Sequence, residues 1–253
     1  MFDINVKLGH WPHRPVRGLD ALLRYMASND VSGAAVSSLS SVNYLNPQDG
    51  NDELAKLIVP HRDRLVLLAV IRPDFTGWRD DFMRCVDEYG ARGVVLYPNY
   101  HRYALADGLV TPLAALAAQH LLPVFIQAGL EDARRQFDRP IMLDVLAPEM
   151  GAFAKAHPDT TVVALGLKFG QPESAADPLP DNFYFDTSNY ETMGELETAV
   201  EKFGPGKILF GTNFPLFTPL ANVNKLRMAD ISSPDSQAIG EINARRLLGT
   251  CGG

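Results

Sequence analysis

Eight short β-rich runs, separated by helix-like or loop stretches, constrain this chain more than any other feature of its sequence. They cover residues 4–8, 33–37, 65–71, 93–97, 123–127, 161–166, 183–187 and 207–211. Several are unbroken apolar stretches, as in LVLLAVI, GVVLY and TVVALG, which suits parallel strands buried on both faces. Amphipathic segments such as LDALLRYMA, DDFMRCVDEYG, PLAALAAQH and ELETAVEKFG lie between most of them. Breakers end several of these segments, as at Tyr89-Gly90, His157-Pro158 and Phe203-Gly204-Pro205. Eightfold strand–helix alternation predicts an α/β fold of the closed (β/α)8 TIM-barrel type. An open doubly wound sheet would carry a glycine-rich phosphate loop after its first strand, and LGHWPHRP is not one.

The 253 residues suit one barrel domain spanning 1–253, closed by a final helix over about 235–248. A formal net charge of −7 argues against nucleic acid or an anionic membrane surface as partner. No window approaches the length of a membrane span, and MFDINVKLGHWPHRP lacks the apolar core of a signal peptide. Cys85 and Cys251 lie far apart and form no CxxC pair, so reduced thiols in a cytoplasmic protein are expected.

In such a barrel the loops after the strands form the C-terminal mouth, where active sites lie. The least regular stretches, 37–51, 98–109, 129–139 and 169–182, all fall there. Alternation along the first strand sets Asp3, Asn5 and Lys7 on one face and Ile4, Val6 and Leu8 on the other. With the apolar face against outer helices, Lys7 points inward, where an ammonium is costly unless paired or solvated. Its plainer alternative is a rim lysine reaching water. Tyr97, Asn99, Gln127, Asp186, Ser188 and Asn213 stand at the ends of other strands. Each alone is an ordinary cap or turn residue, but polar groups converging from several strands mark a ligand pocket.

His10, His13 and His101 lie in mouth loops without the spacing of a ligand set, while His61, His120 and His157 precede strands on the opposite rim. No GxSxG elbow is present, neither cysteine ends a strand, and Ser37, Ser38 and Ser188 have no evident His–Asp relay.

Motifs along the whole chain carry a resemblance. FDINVKLGHWPHRP, GVVLYPNYHRY, LPVFIQAGLEDAR, VVALGL, NFYFDTSNY, ILFGTNFPLFTP and INARRLLG resemble successive segments of the amidohydrolase-related family. Its members include decarboxylases of the aminocarboxymuconate-semialdehyde type and a metal-independent pyrone-dicarboxylate lactonase. The resemblance implies a barrel, with metal-binding histidines on strands one, five and six and an aspartate after strand eight. Here those positions hold Asn5 and Lys7, Gln127, Gly166, and Asn213. Such residues suit no divalent metal, so neither metal nor cofactor is expected.

Two functions follow. One is a metal-independent hydrolase or lyase acting on a small carbonyl or carboxylate compound, with Lys7 in the place of the cation or as a Schiff-base nucleophile. Asn5, Gln127 and Asn213 would hydrogen-bond the substrate. Tyr97, Tyr100, His101 and Tyr103 would supply acid–base groups, and Arg14 or Arg72 would hold a carboxylate. His10, His13 and Asp186 complete the candidate set. The other is a catalytically inactive barrel that binds a small ligand or a protein partner. A homodimer is implied by the resemblance alone.

Overall fold

Every predicted run forms a strand. The computed structural model describes residues 1–136, 141–192 and 194–250. Its strands are β1 Phe2–Leu8, β2 Gly33–Ser38, β3 Leu65–Val70, β4 Val94–Leu96, β5 Val124–Gln127, β6 Val162–Leu165, β7 Phe183–Asp186 and β8 Ile208–Leu209. Each pairs in parallel with the next, in the order β1 to β8. The ring is completed by two backbone bonds, from the Ile4 N–H to the Phe210 carbonyl at 2.9 Å and from the Lys7 N–H to the Phe214 carbonyl at 2.7 Å. This is a (β/α)8 barrel, with a helix after every strand. Cys85 is a free, buried thiol, and Cys251 lies outside the described residues, as do 137–139 of the stretch after β5. No helix among the described residues is long and apolar enough to cross a membrane.

Two apolar layers follow from the alternation of strand residues. Val36, Ala69, Val94, Ile126 and Ala164 face outward onto helix residues such as Leu22, Leu54, Phe82 and Met150. Ala35, Leu68, Val70, Val95, Phe125, Val163 and Leu209 fill the interior. Buried on both sides, the strands read as continuous apolar runs.

Two departures from the sequence expectation bear on how β1–β3 are held. Residues 47–51, expected as the end of the loop 37–51, instead begin a helix, Pro47–Ile58. Asp49-Gly50-Asn51 has the composition of a turn, but Asn46 caps the helix by accepting from the Gln48 N–H at 3.1 Å, and Pro47 occupies its first turn. The second departure is in β1. Asp3 pairs with Ala34 and Val6 with Val36, so three steps on β1 match two on β2. That extra residue is a β-bulge, which breaks the inside–outside alternation. Ile4 therefore packs with the interior residues, whereas Val6 and Leu8 pack against the helices. Asp3 does not share the inward face of Asn5 and Lys7.

Asp3 instead ties the outer layer together. Its carboxyl accepts from the Thr212 hydroxyl at 2.6 Å, the Thr212 N–H at 3.1 Å, the Asn5 N–H at 3.1 Å and the Tyr25 hydroxyl at 3.3 Å. It joins the bulge to the first helix, Leu19–Ser28, and to the segment after β8. Truncation would leave two buried N–H donors unpaired, each worth about 1–3 kcal/mol. Asp3→Ala should therefore lower unfolding free energy by about 3 kcal/mol in urea titrations at pH 6. A loss within the ordinary range of a surface substitution would contradict this role.

Candidate functional site at the barrel mouth

Below the bulge the strand turns Asn5 and Lys7 inward, and both are buried, Lys7 with no exposed surface. The Lys7 ammonium donates to the Asn5 side-chain oxygen. The Asn5 amide nitrogen donates onward to Asp186 at 2.7 Å and to the Ser188 hydroxyl at 3.2 Å. Asp186 also accepts from the Gly166 N–H at 2.7 Å. A cation on β1 and a carboxylate on β7 are thus joined through one amide. Gly211, after β8, permits that approach, because a β-carbon there would run into the Asp186 carboxylate and the Asn5 side chain. Burial pushes Lys7 down to about 7, against the upward pull of Asp186 and Asp3. Burial also raises Asp186, and it raises Asp3 to about 7.

Gln127 and Asn213 close the other side. The Gln127 amide nitrogen donates to the Gly129 carbonyl at 2.7 Å and the Leu165 carbonyl at 3.4 Å. That of Asn213 reaches the Leu130 carbonyl at 3.5 Å. Both side chains therefore grip the same turn after β5, and both amide oxygens are buried with no hydrogen-bond partner. Asn213 sits at φ 53°, a left-handed conformation that asparagine tolerates better than most residues. Gly166, at φ 75°, has the Gln127 amide nitrogen 2.8 Å from where a β-carbon would stand. A side chain there would have to displace the Gln127 amide and adopt a left-handed backbone.

The remaining candidates divide by position. Trp11, Leu130 and Leu216, from the loops after β1, β5 and β8, join the interior cluster and cover the strand ends. Arg14 spans those loops, donating to Glu131 at 2.8 Å and to the Leu216 carbonyl at 2.9 Å. Arg72 is held by both oxygens of Asp74 at 2.8 and 2.9 Å. Each arginine has its Nε and Nη2 engaged. Tyr97 is buried beside Ser37, hydroxyl to hydroxyl at 3.3 Å, and burial raises it and Tyr103 well above the usual tyrosine range. His101 is buried between those two rings, and burial pushes it down to about 4. His13 and Tyr100 stand against Trp11, with ring centroids at 5.0 and 6.0 Å. His10 is exposed. Asp186 stands behind Asn5, its oxygens already engaged.

Above this centre lies a mouth depression of about 260 Å³, lined by Gly129, Glu131, Arg135, Lys168, Leu216 and Phe217 among others. Arg135 and Lys168 were not singled out in the sequence. The charge density of EDARR, directly after β5, is the signal that marks this wall.

The sequence profile of the amidohydrolase family matches residues 42–250. The chain belongs to the amidohydrolase family. No curated protein matches it, but solved structures do. The 2,6-dihydroxybenzoate decarboxylase from Rhizobium is 17% identical, with 99% of each chain covered and a TM-score of 0.73. The 5-carboxyvanillate decarboxylase from Sphingomonas paucimobilis is 14% identical over 98% of each chain, with a TM-score of 0.77. A dihydroxybenzoic acid decarboxylase from Polaromonas, with bound manganese and the inhibitor 2-nitroresorcinol, is 15% identical, covering 100% of this chain and 97% of that one, with a TM-score of 0.75.

A divalent metal does not fit the residues of this amidohydrolase barrel. Gln127 and Asn213 present neutral amide oxygens, Gly166 has no side chain to ligate with, and the Lys7 ammonium repels a cation. Among the described residues, no three His, Cys, Asp or Glu side chains are grouped to hold one.

The buried charges leave a mark on stability. Lys7 is lowered to about 7 from 10.5, so between those values the unfolded chain binds more protons and stability rises with pH. Asp3 is raised from 3.8 to about 7. Between those values the folded chain binds more protons, so stability falls as pH rises. Together these give a minimum near pH 7 in urea unfolding free energies measured from pH 5 to 10. Lys7→Met should flatten the alkaline arm and Asp3→Asn the acidic one. An alkaline arm unchanged in Lys7→Met would show that Lys7 is charged throughout.

Proposed function

We propose that this barrel is a metal-independent lyase acting on a small carboxylate, with Lys7 as its cationic centre. The observation that carries this reading is the buried Lys7 ammonium, held by Asn5 where the strand ends converge. The similarity in fold to decarboxylases of hydroxylated aromatic acids supports the carboxylate. Decarboxylation breaks the bond to the carboxylate, releases CO2 and leaves an electron pair that needs a positive partner. An oxygen carrying that charge would be stabilised by Lys7 in a water-poor interior. Lys7 would then protonate the carbon and recover its proton from solvent. With its pKa near 7, it exchanges a proton readily at neutral pH. Hydrolysis is less well supported, because Asn213 cannot accept the proton of an attacking water.

A second reading, a binding barrel without catalysis, is favoured by one observation. Lys7, Asn5, Gln127 and Asn213 are all buried, and none of them lines the mouth depression.

Turnover of aromatic and keto carboxylates by chelator-treated protein separates these readings. Activity should survive metal removal and should not rise with added zinc or manganese. Lys7→Met should reduce it by about 10²–10³-fold, the typical scale for one electrostatic donor. A metal requirement would overturn the proposal, and absence of turnover across the panel would leave the binding barrel. Borohydride trapping with keto acids tests the covalent variant: an adduct lost in Lys7→Met would replace charge stabilisation by a Schiff base.

A further inference from the structure

Lys7 has no exposed surface and does not line the mouth depression, so a ligand can touch it only after part of the cover moves. The three covering side chains are not held alike. Leu130 is fixed from beneath, where its carbonyl accepts from Asn213 and that of Gly129 accepts from Gln127. The Leu216 N–H bonds the Asn213 carbonyl at 2.9 Å. Trp11 rides instead on the strap 9–18. Among the described residues, no backbone–backbone hydrogen bond joins 10–17 to any other segment. Near its start the His10 N–H donates to the Ser40 hydroxyl at 2.9 Å, and Trp11 and Val16 pack on the interior cluster. Arg14 ties its middle, at 2.8 Å to Glu131 and 2.9 Å to the Leu216 carbonyl. Segments outside the backbone ladders of a fold open more readily than those within them.

Glycines bound the strap. Gly9 stands at φ 122°, and a β-carbon there would lie 2.6 Å from the Ser40 hydroxyl, so this end requires glycine. Gly18, at the N-cap of the first helix, has open space around it. The shut position also has a cost. The Trp11 indole N–H is buried without a partner, and water would satisfy it once the strap lifted. Arg14 works against that release. Both its partners, Glu131 and Leu216, line the mouth depression, so lifting Arg14 away would open the depression on the side of β1, where Lys7 lies. We infer that residues 9–18 form a lid hinged at its two glycines, with Arg14 as the latch that holds it shut over Lys7. The inference rests on the reading of Lys7 as the group a ligand must reach, and it applies to turnover and to binding alike.

The test reads how often Lys7 meets solvent in the intact, ligand-free protein. Lysines are methylated with formaldehyde and cyanoborohydride, and peptide mass spectrometry follows Lys7 against the exposed Lys168. Cys85, buried in the helix layer away from the strap, is alkylated with N-ethylmaleimide in parallel to report wider unfolding. Lys7 should react more slowly than Lys168. Arg14→Met should speed Lys7 about tenfold, the scale of one or two lost hydrogen bonds, and leave Cys85 unchanged. Gly18→Ala, which meets no neighbour, should slow Lys7 about two- to fivefold by stiffening the hinge. Unfolding curves establish that both variants fold. Lys7 reacting as fast as Lys168, a Lys7 rate unchanged in either variant, or equal acceleration of Lys7 and Cys85 in Arg14→Met overturns the lid. Because no ligand is present, these rates stand apart from the turnover assay. A latched lid without decarboxylation defeats the lyase and spares the inference, and decarboxylation with Lys7 freely reactive does the reverse.

Discussion

The single amide of Asn5 is the interaction on which the centre of this barrel depends. An ammonium taken out of water needs compensation that a neutral interior does not provide. Here the compensating carboxylate, Asp186, lies on β7, and β8 intervenes between it and β1. Asn5 spans the interval by accepting from Lys7 and donating to Asp186. Much of the local structure follows from that bridge. The bulge in β1 turns Asn5 and Lys7 inward after Ile4. Glycine after β8 leaves room for the amide and the carboxylate to meet. The Gly166 N–H occupies the far oxygen of Asp186.

The bulge also explains why Asp3 and Asp186, two buried acids close in space, serve different ends. Strict alternation would bring Asp3 inward beside Asn5, giving Lys7 a second neighbouring carboxylate. The extra residue sends it outward, where four donors from three segments occupy it. The two carboxyls are thereby kept on opposite faces of the sheet, and the inward face retains a single carboxylate acting through an amide. Both acids still feel burial first, which is why each is raised rather than lowered.

Much of this was legible in the sequence, and the failures have identifiable causes. Eight β-rich runs were enough for the barrel, several of them continuous apolar stretches that strands covered on both faces produce without alternation. Lys7, Gln127 and Asn213 were visible as polar residues at strand ends. The helix Pro47–Ile58 was not, because Asp-Gly-Asn resembles a turn and its support is tertiary: Asn51 brackets the backbone of Val70 with bonds of 3.0 and 2.9 Å. The outward turn of Asp3 was hidden too, since a bulge leaves no mark on a period-two pattern. Arg14 and Arg72 illustrate a different limit. Sequence shows a cation near a mouth but not which of its donors are already engaged, and here Glu131 with the Leu216 carbonyl engages Arg14 while Asp74 engages Arg72.

The cover over the centre and the chemistry beneath it bear on each other. Trp11, Leu130 and Leu216 belong to the interior apolar cluster and Lys7 has no exposed surface, and such burial strengthens any charge interaction made there. The same cover removes the solvent that a hydrolase would need to draw in and activate. Asn213 cannot take a proton from such a water, Asp186 is saturated with donors, and His101 is uncharged at neutral pH behind Tyr97. A reaction whose difficult step is the departure of CO2 from a desolvated carboxylate asks for neither water nor base. It asks for a cation that can lend a proton and recover it. Arg14 holds the cover in place by joining the loops after β1, β5 and β8. Its partner Glu131 also lines the depression by which a carboxylate would arrive. Under the proposed reading, an anion arriving there would meet Glu131 together with Arg135 and Lys168 of the same wall.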